Sequence, residues 1–175
     1  MKVDILITDE MIQKAETWQR TIFNTGLTTT PNYTGLSVEN RFVIGYIGEL
    51  VFAEWAHLHN LRCDHTIVTN GKSQRPEITI YMGGEAVMGD IKAASAWHYR
   101  KAMLPVSQEL DAEFYVAVKL DIGGRRGAVM GGAFKMDVIE FDTGKFGDHG
   151  IDTRFCDFED LPVAVDEIKE LFDHG

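Results

Sequence analysis

Cysteine is scarce in this chain. Cys63 and Cys156 are the two present, far apart and outside any CxxC or Cys/His cluster, so neither a disulfide framework nor a structural zinc site is indicated, and reduced, packed thiols are expected. Long apolar runs are missing too: none approaches the roughly 20 residues needed to cross a bilayer, and the opening residues turn acidic too soon for a signal peptide. A cytoplasmic protein without membrane contact is the expectation. Basic residues are outnumbered, 17 Lys and Arg against 27 Asp and Glu, for a net charge of −10. That deficit weighs against a nucleic-acid substrate, because non-specific affinity comes from cations neutralising phosphates, but it leaves room for a local basic patch. No repeat, low-complexity tract or linker divides the chain, so residues 1–175 are expected to form a single domain. That length can bury about 70% of the unfolded surface.

What is present centres on residues 76–92, which read Pro-Glu-Ile-Thr-Ile-Tyr-Met-Gly-Gly-Glu-Ala-Val-Met-Gly-Asp-Ile-Lys. Two runs rich in β-branched and aromatic residues flank a Gly-Gly pair, the signal of a tight hairpin. With Gly83 and Gly84 as the loop, counting sets Met82 against Glu85, Ile80 against Val87, Ile78 against Gly89 and Glu77 against Asp90. Opposed residues have Cβ atoms roughly 4.5–5.5 Å apart, and alternation puts Lys92 on the face of Asp90 while Ile78, Ile80, Val87 and Ile91 form an apolar face. Two facing carboxylates repel unless a cation or a shared proton lies between them. Oxygen ligands of this kind suit Mg²⁺ or Mn²⁺, and a neighbouring ammonium can orient or deprotonate a water or stabilise charge on a phosphate. The set is suited to phosphodiester hydrolysis. The bland alternative is an ordinary solvated hairpin face on which Lys92 makes a weak ion pair.

Pro76-Glu77, a spacer of twelve residues and then Asp90-Ile91-Lys92 resembles the PD-(D/E)XK nuclease motif of the restriction-endonuclease-like fold. The resemblance implies that Glu77 and Asp90 bind Mg²⁺, with Mn²⁺ able to substitute, that the Ile91 carbonyl joins them, and that Lys92 assists the attacking water. Glu at position 77 and Asp at 90 are alternatives that the family tolerates. Gly45-x-x-Gly48-Glu49 on a helix ahead of the hairpin is similar to a second family pattern, in which the helix glutamate reaches the metal site. Gln108 looks like the glutamine that some members carry after the lysine, in contact with metal-bound water or DNA. Asp64 stands thirteen residues before Glu77 and is the rival for the first acid position.

Around this motif, Thr8 or Asp9 caps a first helix whose apolar positions Met11, Ile12, Ala15, Trp18, Ile22 and Phe23 recur down to Gly26. Residues 27–36 read as a surface loop. A second helix opens at Ser37 and runs to about Asn60; Phe42, Gly45, Tyr46, Glu49, Phe52, Ala53 and Ala56 trace one face, so Glu49 projects from an apolar stripe where an unpaired carboxylate is costly. Gly45 and Gly48 would let it approach another backbone closely. Glu54 and His57 stand at a helical metal-binding spacing without a second copy.

Strands are expected over 61–68, 114–120 and 128–132, an edge strand over 154–158, a turn-like stretch over 142–150, a short helix over 135–140, and a last helix over 163–172 with Pro162 at its first turn. Lys72, Arg75, His98, Arg100, Lys101, Arg125 and Arg126 are candidates for phosphate contact or for mere solvation. Trp97 and Tyr99 could stack on bases or anchor their loop.

The expected fold is mixed α/β (α+β), a restriction-endonuclease-like core with a mixed central β-sheet flanked by helices. The expected function is metal-dependent DNA hydrolysis, as an endonuclease. A non-catalytic nucleic-acid-binding protein on the same fold and a phosphohydrolase of small phosphoesters remain alternatives, the second favoured by the acidic charge. A homodimer is what concerted double-strand cutting by one site per subunit would require.

Overall fold

The computed structural model describes residues 3–24, 38–67, 76–106, 108–146 and 150–175, with the backbone alone for 22–24, 38–40, 66–67 and 76–77. The strands are β1 (Ile5–Leu6), β2 (Cys63–Ile67), β3 (Pro76–Met82), β4 (Glu85–Ala94), β5 (Lys101–Pro105), β6 (Phe114–Asp121), β7 (Arg126–Phe134), β8 (Asp142–Phe146) and β9 (Ile151–Asp157). The helices are α1 (Asp9–Asn24), α2 (Val38–Leu58), α3 (Lys135–Ile139) and α4 (Val165–Leu171). Strand order is β1-β7-β6-β4-β3-β2 in a six-stranded mixed sheet and β5-β9-β8 in a three-stranded one. The fold is thus mixed α and β. Among the described residues no helix is long and apolar enough to cross a membrane.

The central hairpin forms in the register that the Gly-Gly loop dictates. Gly83 and Gly84 take φ of 60° and 85°, both in the left-handed region that a two-residue hairpin loop demands. β3 and β4 pair antiparallel from Met82↔Glu85 through Ile80↔Val87 to Ile78↔Gly89. Glu77 lies one residue past that ladder and pairs with Thr66 of β2 on its other side. β4 then runs parallel to β6, with Asp90↔Tyr115 and Lys92↔Ala117 as partners.

Alternation divides the six-stranded sheet into two covered faces. Ile78, Ile80, Ile91, Val116, Val118 and Leu120 face one way and join Trp18, Tyr46, Phe52, Trp55, Ile168 and Phe172 of the helices in the main core. On the other face Tyr115 and Ala133 meet Leu104 and Val138, and Ala117 and Met130 meet Phe158, so the second sheet and α3 cover the side that carries Asp90 and Lys92.

α1 begins as expected, with the Met11 N–H donating to Thr8 Oγ1 at 3.2 Å, and it is described as far as Asn24. α2 corrects the single-stripe expectation. Ile47, Val51 and Trp55 are as buried as Tyr46 and Phe52, because the helix lies between α1 and the sheet and packs on β4, β6 and β7 as well. Loops 27–36 and 69–75, with Lys72 and Arg75, lie outside the described residues, as do Gly26 and Ser37.

The second half of the chain departs further from expectation. The run ending at Pro105 is strand β5, and the turn-like stretch holds strand β8. Both are recruited by β9, which is the centre of its sheet and not an edge, with Phe155 packed edge-on against Phe146 at 5.0 Å. The last helix starts late because both backbone groups of Val163 are committed to Gly132, at 2.8 and 3.0 Å; Ala164 is the N-cap, and Pro162 lies before the helix.

Gly48 shows why a glycine is needed in α2. A Cβ there would come 2.7 Å from the Ala93 Cβ, whereas at Gly45 it would meet nothing within 4 Å. Gly48→Ala is expected to destabilise by about 1–3 kcal/mol through overpacking, and Gly45→Ala to be neutral or to stabilise by up to about 1 kcal/mol through helix propensity. Urea melts of the two variants beside the wild type check the contrast. Equal effects of the two substitutions would contradict the close approach.

Candidate functional site

Asp90 and Lys92 meet on β4 because residues two apart on a strand share a face. Lys92 Nζ lies 2.7 Å from Asp90 Oδ2, and their side chains are 23% and 31% exposed, so the pair is neither buried outright nor a freely solvated surface contact. The carbonyl of Ile91 lies on the strand between them, and the Ile91 side chain is buried in the main core.

Glu49 arrives from the opposite face, carried by the close seating of α2 at Gly48. Its Oε2 lies 2.9 Å from His65 Nε2 on β2, with the two side chains 13% and 16% exposed. His65 pairs opposite Ile78 and therefore stands on the apolar, helix-facing side of the sheet, where Tyr46 packs against its ring at 5.4 Å. Burial pushes the Glu49 carboxyl up to about 7; the His65 contact opposes this, Asp90 adds to it and Lys92 opposes it. Glu49 thus sits in the electrostatic field of both β4 residues.

The backbone sets Glu77 beside β4 on β3, one step beyond the last hairpin pair, and its side chain lies outside the described residues. Asp64, the rival first acid, is exposed and accepts a 2.7 Å hydrogen bond from the Tyr81 hydroxyl. Among the described residues no cluster of three His, Cys, Asp or Glu side chains is close enough to hold a metal. Gln108 donates its backbone N–H to the Pro105 carbonyl in the turn after β5, and no described contact joins its side chain to Asp90 or Lys92. Glu54 and His57 are both exposed on α2. Cys63 and Cys156 are free, with burial raising both thiols.

Several basic and aromatic candidates have internal partners. Arg125 pairs with Asp9 at 2.7 Å; Arg126 pairs with Asp121 at 3.1 Å and lies 4.0 Å over the Trp97 ring; Lys101 lies 3.4 Å from Asp157 and 4.0 Å over Phe155. Trp97 therefore anchors its loop. His98, Tyr99 and Arg100 remain exposed.

Two groups near the site escaped the sequence reading. His65 is one. Tyr115 is the other: it pairs with Asp90 across β4 and β6, and its buried hydroxyl makes no hydrogen bond of full geometry among the described residues. Burial first and Asp90 second push that hydroxyl up to about 12, so it stays protonated. Behind Lys92 a cavity of about 30 Å³ is walled by Tyr115, Ala117, Ala133, Leu104 and the Arg154 side chain. Arg154 in turn donates to the Val106 carbonyl at 3.3 Å, linking β9 to the turn that holds Gln108.

Comparisons with family models, with characterised proteins and with solved structures each return no match for this chain.

The raised Glu49 carboxyl carries a sign. Between about pH 4.5 and 7 the native state keeps a proton that the unfolded chain releases, so stability falls as pH rises through that window and levels off above it. The full effect is about 3 kcal/mol at most. In the metal-free protein Glu49→Gln removes it: wild type and variant are expected to have similar stability below pH 4.5, with the variant the more stable at pH 8. Denaturation curves across that range measure the divergence. A constant difference at every pH would contradict the assignment.

Proposed function

We propose that this chain is a metal-dependent nuclease of the PD-(D/E)XK kind, on a restriction-endonuclease-like core, and that it hydrolyses phosphodiester bonds of DNA, most simply as an endonuclease. The observation that carries the reading is the contact of Asp90 and Lys92 at 2.7 Å on β4, the strand that the Gly83-Gly84 turn pairs with the strand bearing Glu77. An antiparallel hairpin joined to a parallel third strand, with a glutamate-bearing helix seated on it, supports the same core.

The donor chemistry fits a hard divalent cation. Burial and the negative charge of Asp90 hold the Glu49 carboxyl up, and a bound cation would offset that cost. Glu49, Glu77 and Asp90, with the Ile91 carbonyl, are the residues that would hold Mg²⁺ or Mn²⁺. When bound, that ion supplies Lewis acidity at the phosphoryl oxygen. Lys92, held by Asp90, orients a water for attack on phosphorus and balances negative charge as it develops on the phosphate. His65 fixes the Glu49 rotamer through their 2.9 Å contact. Tyr115 keeps the wall beside Asp90 neutral.

A second reading, hydrolysis of small phosphoesters, is favoured by one observation: Arg125, Arg126 and Lys101 are paired within a chain of net charge −10, leaving His98 and Arg100, among the described candidates, as exposed basic groups. Cleavage assays separate the two. Supercoiled plasmid, linear duplex and single-stranded DNA, and free nucleotides are incubated with wild type and Lys92→Ala in Mg²⁺, Mn²⁺ and EDTA. The nuclease reading predicts metal-dependent nicking or linearisation that falls at least about 100-fold in the variant. Turnover of nucleotides alone would move the assignment to the small-substrate class, and equal inertness of both proteins on every substrate would remove it.

A further inference from the structure

Away from the acidic site, β1, the first turns of α1 and the last turns of α2 enclose an open groove of about 640 Å³. Its floor includes Met11, Leu50 and Ala53, and two of its walls are Leu6 and Leu58, which are 68% and 57% exposed. Single exposed leucines are ordinary on a protein surface. These two line the same depression, so one apolar partner seated there would cover both.

The rim is predominantly acidic. Among the described residues Asp4, Glu10 and Glu54 line the groove against one cation, Lys14, and Lys14 is held by Glu10 at 2.8 Å. Asp4 and Glu54 are exposed and have no ion-pair partner among the described residues. A second copy of the chain fits this surface poorly: a two-fold contact would set acid against acid on molecules of net charge −10. Strand addition is also a poor fit, since β1 is two residues long and its edge presents few free backbone groups. Side-chain anchors flanked by cations are what the groove can recognise.

We propose that this groove docks a helical segment of a partner protein, with apolar anchors one turn apart seated between Leu6 and Leu58 and with lysine or arginine set against Asp4 and Glu54. The site is independent of the β4 chemistry, so it stands or falls apart from the nuclease reading.

The probe is a labelled synthetic amphipathic helix of leucine and lysine, about 20 residues long so that it folds, beside a counterpart with glutamate in place of lysine. Fluorescence anisotropy with the full chain is expected to show saturable binding of the lysine peptide, and at least about 10-fold weaker binding of the glutamate peptide. Leu58→Ser and Glu54→Lys each lower affinity about 10-fold. Glu159→Lys, the same charge change at an exposed position elsewhere, leaves affinity within about 2-fold. Equal weakening by Glu159→Lys and Glu54→Lys would mean general attraction to an acidic protein and would overturn the proposal, as would the absence of binding. Sedimentation showing a dimer that Leu58→Ser dissolves would overturn it in favour of a second copy.

Discussion

A helix can approach a strand only as closely as the side chains between them permit, and at Gly48 α2 presents none. The missing Cβ would stand 2.7 Å from that of Ala93, so the helix rests almost directly on β4. The place of Glu49 at the candidate site follows from that seating. The next residue, Glu49, is pressed toward the sheet beside His65, and the strand that receives the helix is the one whose opposite face carries Asp90 and Lys92. A side chain at position 48 would lift Glu49 away from both.

The close seating creates an electrostatic cost that the chain meets only in part. Burial disfavours an ionised Glu49, and Asp90 makes it worse; His65 and Lys92 offset some of this and leave the carboxyl near 7. A carboxyl held so far from its ordinary range, within the field of an acid and a lysine, is a candidate functional group. The second sheet packs over the other flank through Leu104 and α3 through Val138, leaving the Lys92 and Asp90 side chains partly exposed.

What the sequence made legible was local. A two-residue glycine loop admits one register, so Ile78 through Met82 could be matched to their partners by counting, and the sharing of a face by Asp90 and Lys92 followed. α1 was readable from its period and from Thr8, and the central place of β6 from its apolar run. Contacts set by distant pairing were hidden. His65 meets Glu49 only because β2 pairs with β3 in a register set across residues 68–75, which no two-residue turn constrains. β8, rich in polar and turn-forming residues, exists because β9 offers it a ladder. Likewise Arg126 could be read as a phosphate ligand until Trp97 and Asp121 were found beneath and beside it.

The most direct test of the account is whether one divalent ion binds at the acids named. Titration of Mn²⁺ into the wild type, Asp90→Ala, Glu77→Ala and Asp64→Ala, followed by electron paramagnetic resonance or calorimetry, measures it without reference to any substrate. The account predicts a site in the wild type that Asp90→Ala and Glu77→Ala each weaken at least about 10-fold and that Asp64→Ala leaves intact. Binding unaffected by Asp90→Ala, or no binding in the wild type, would contradict it.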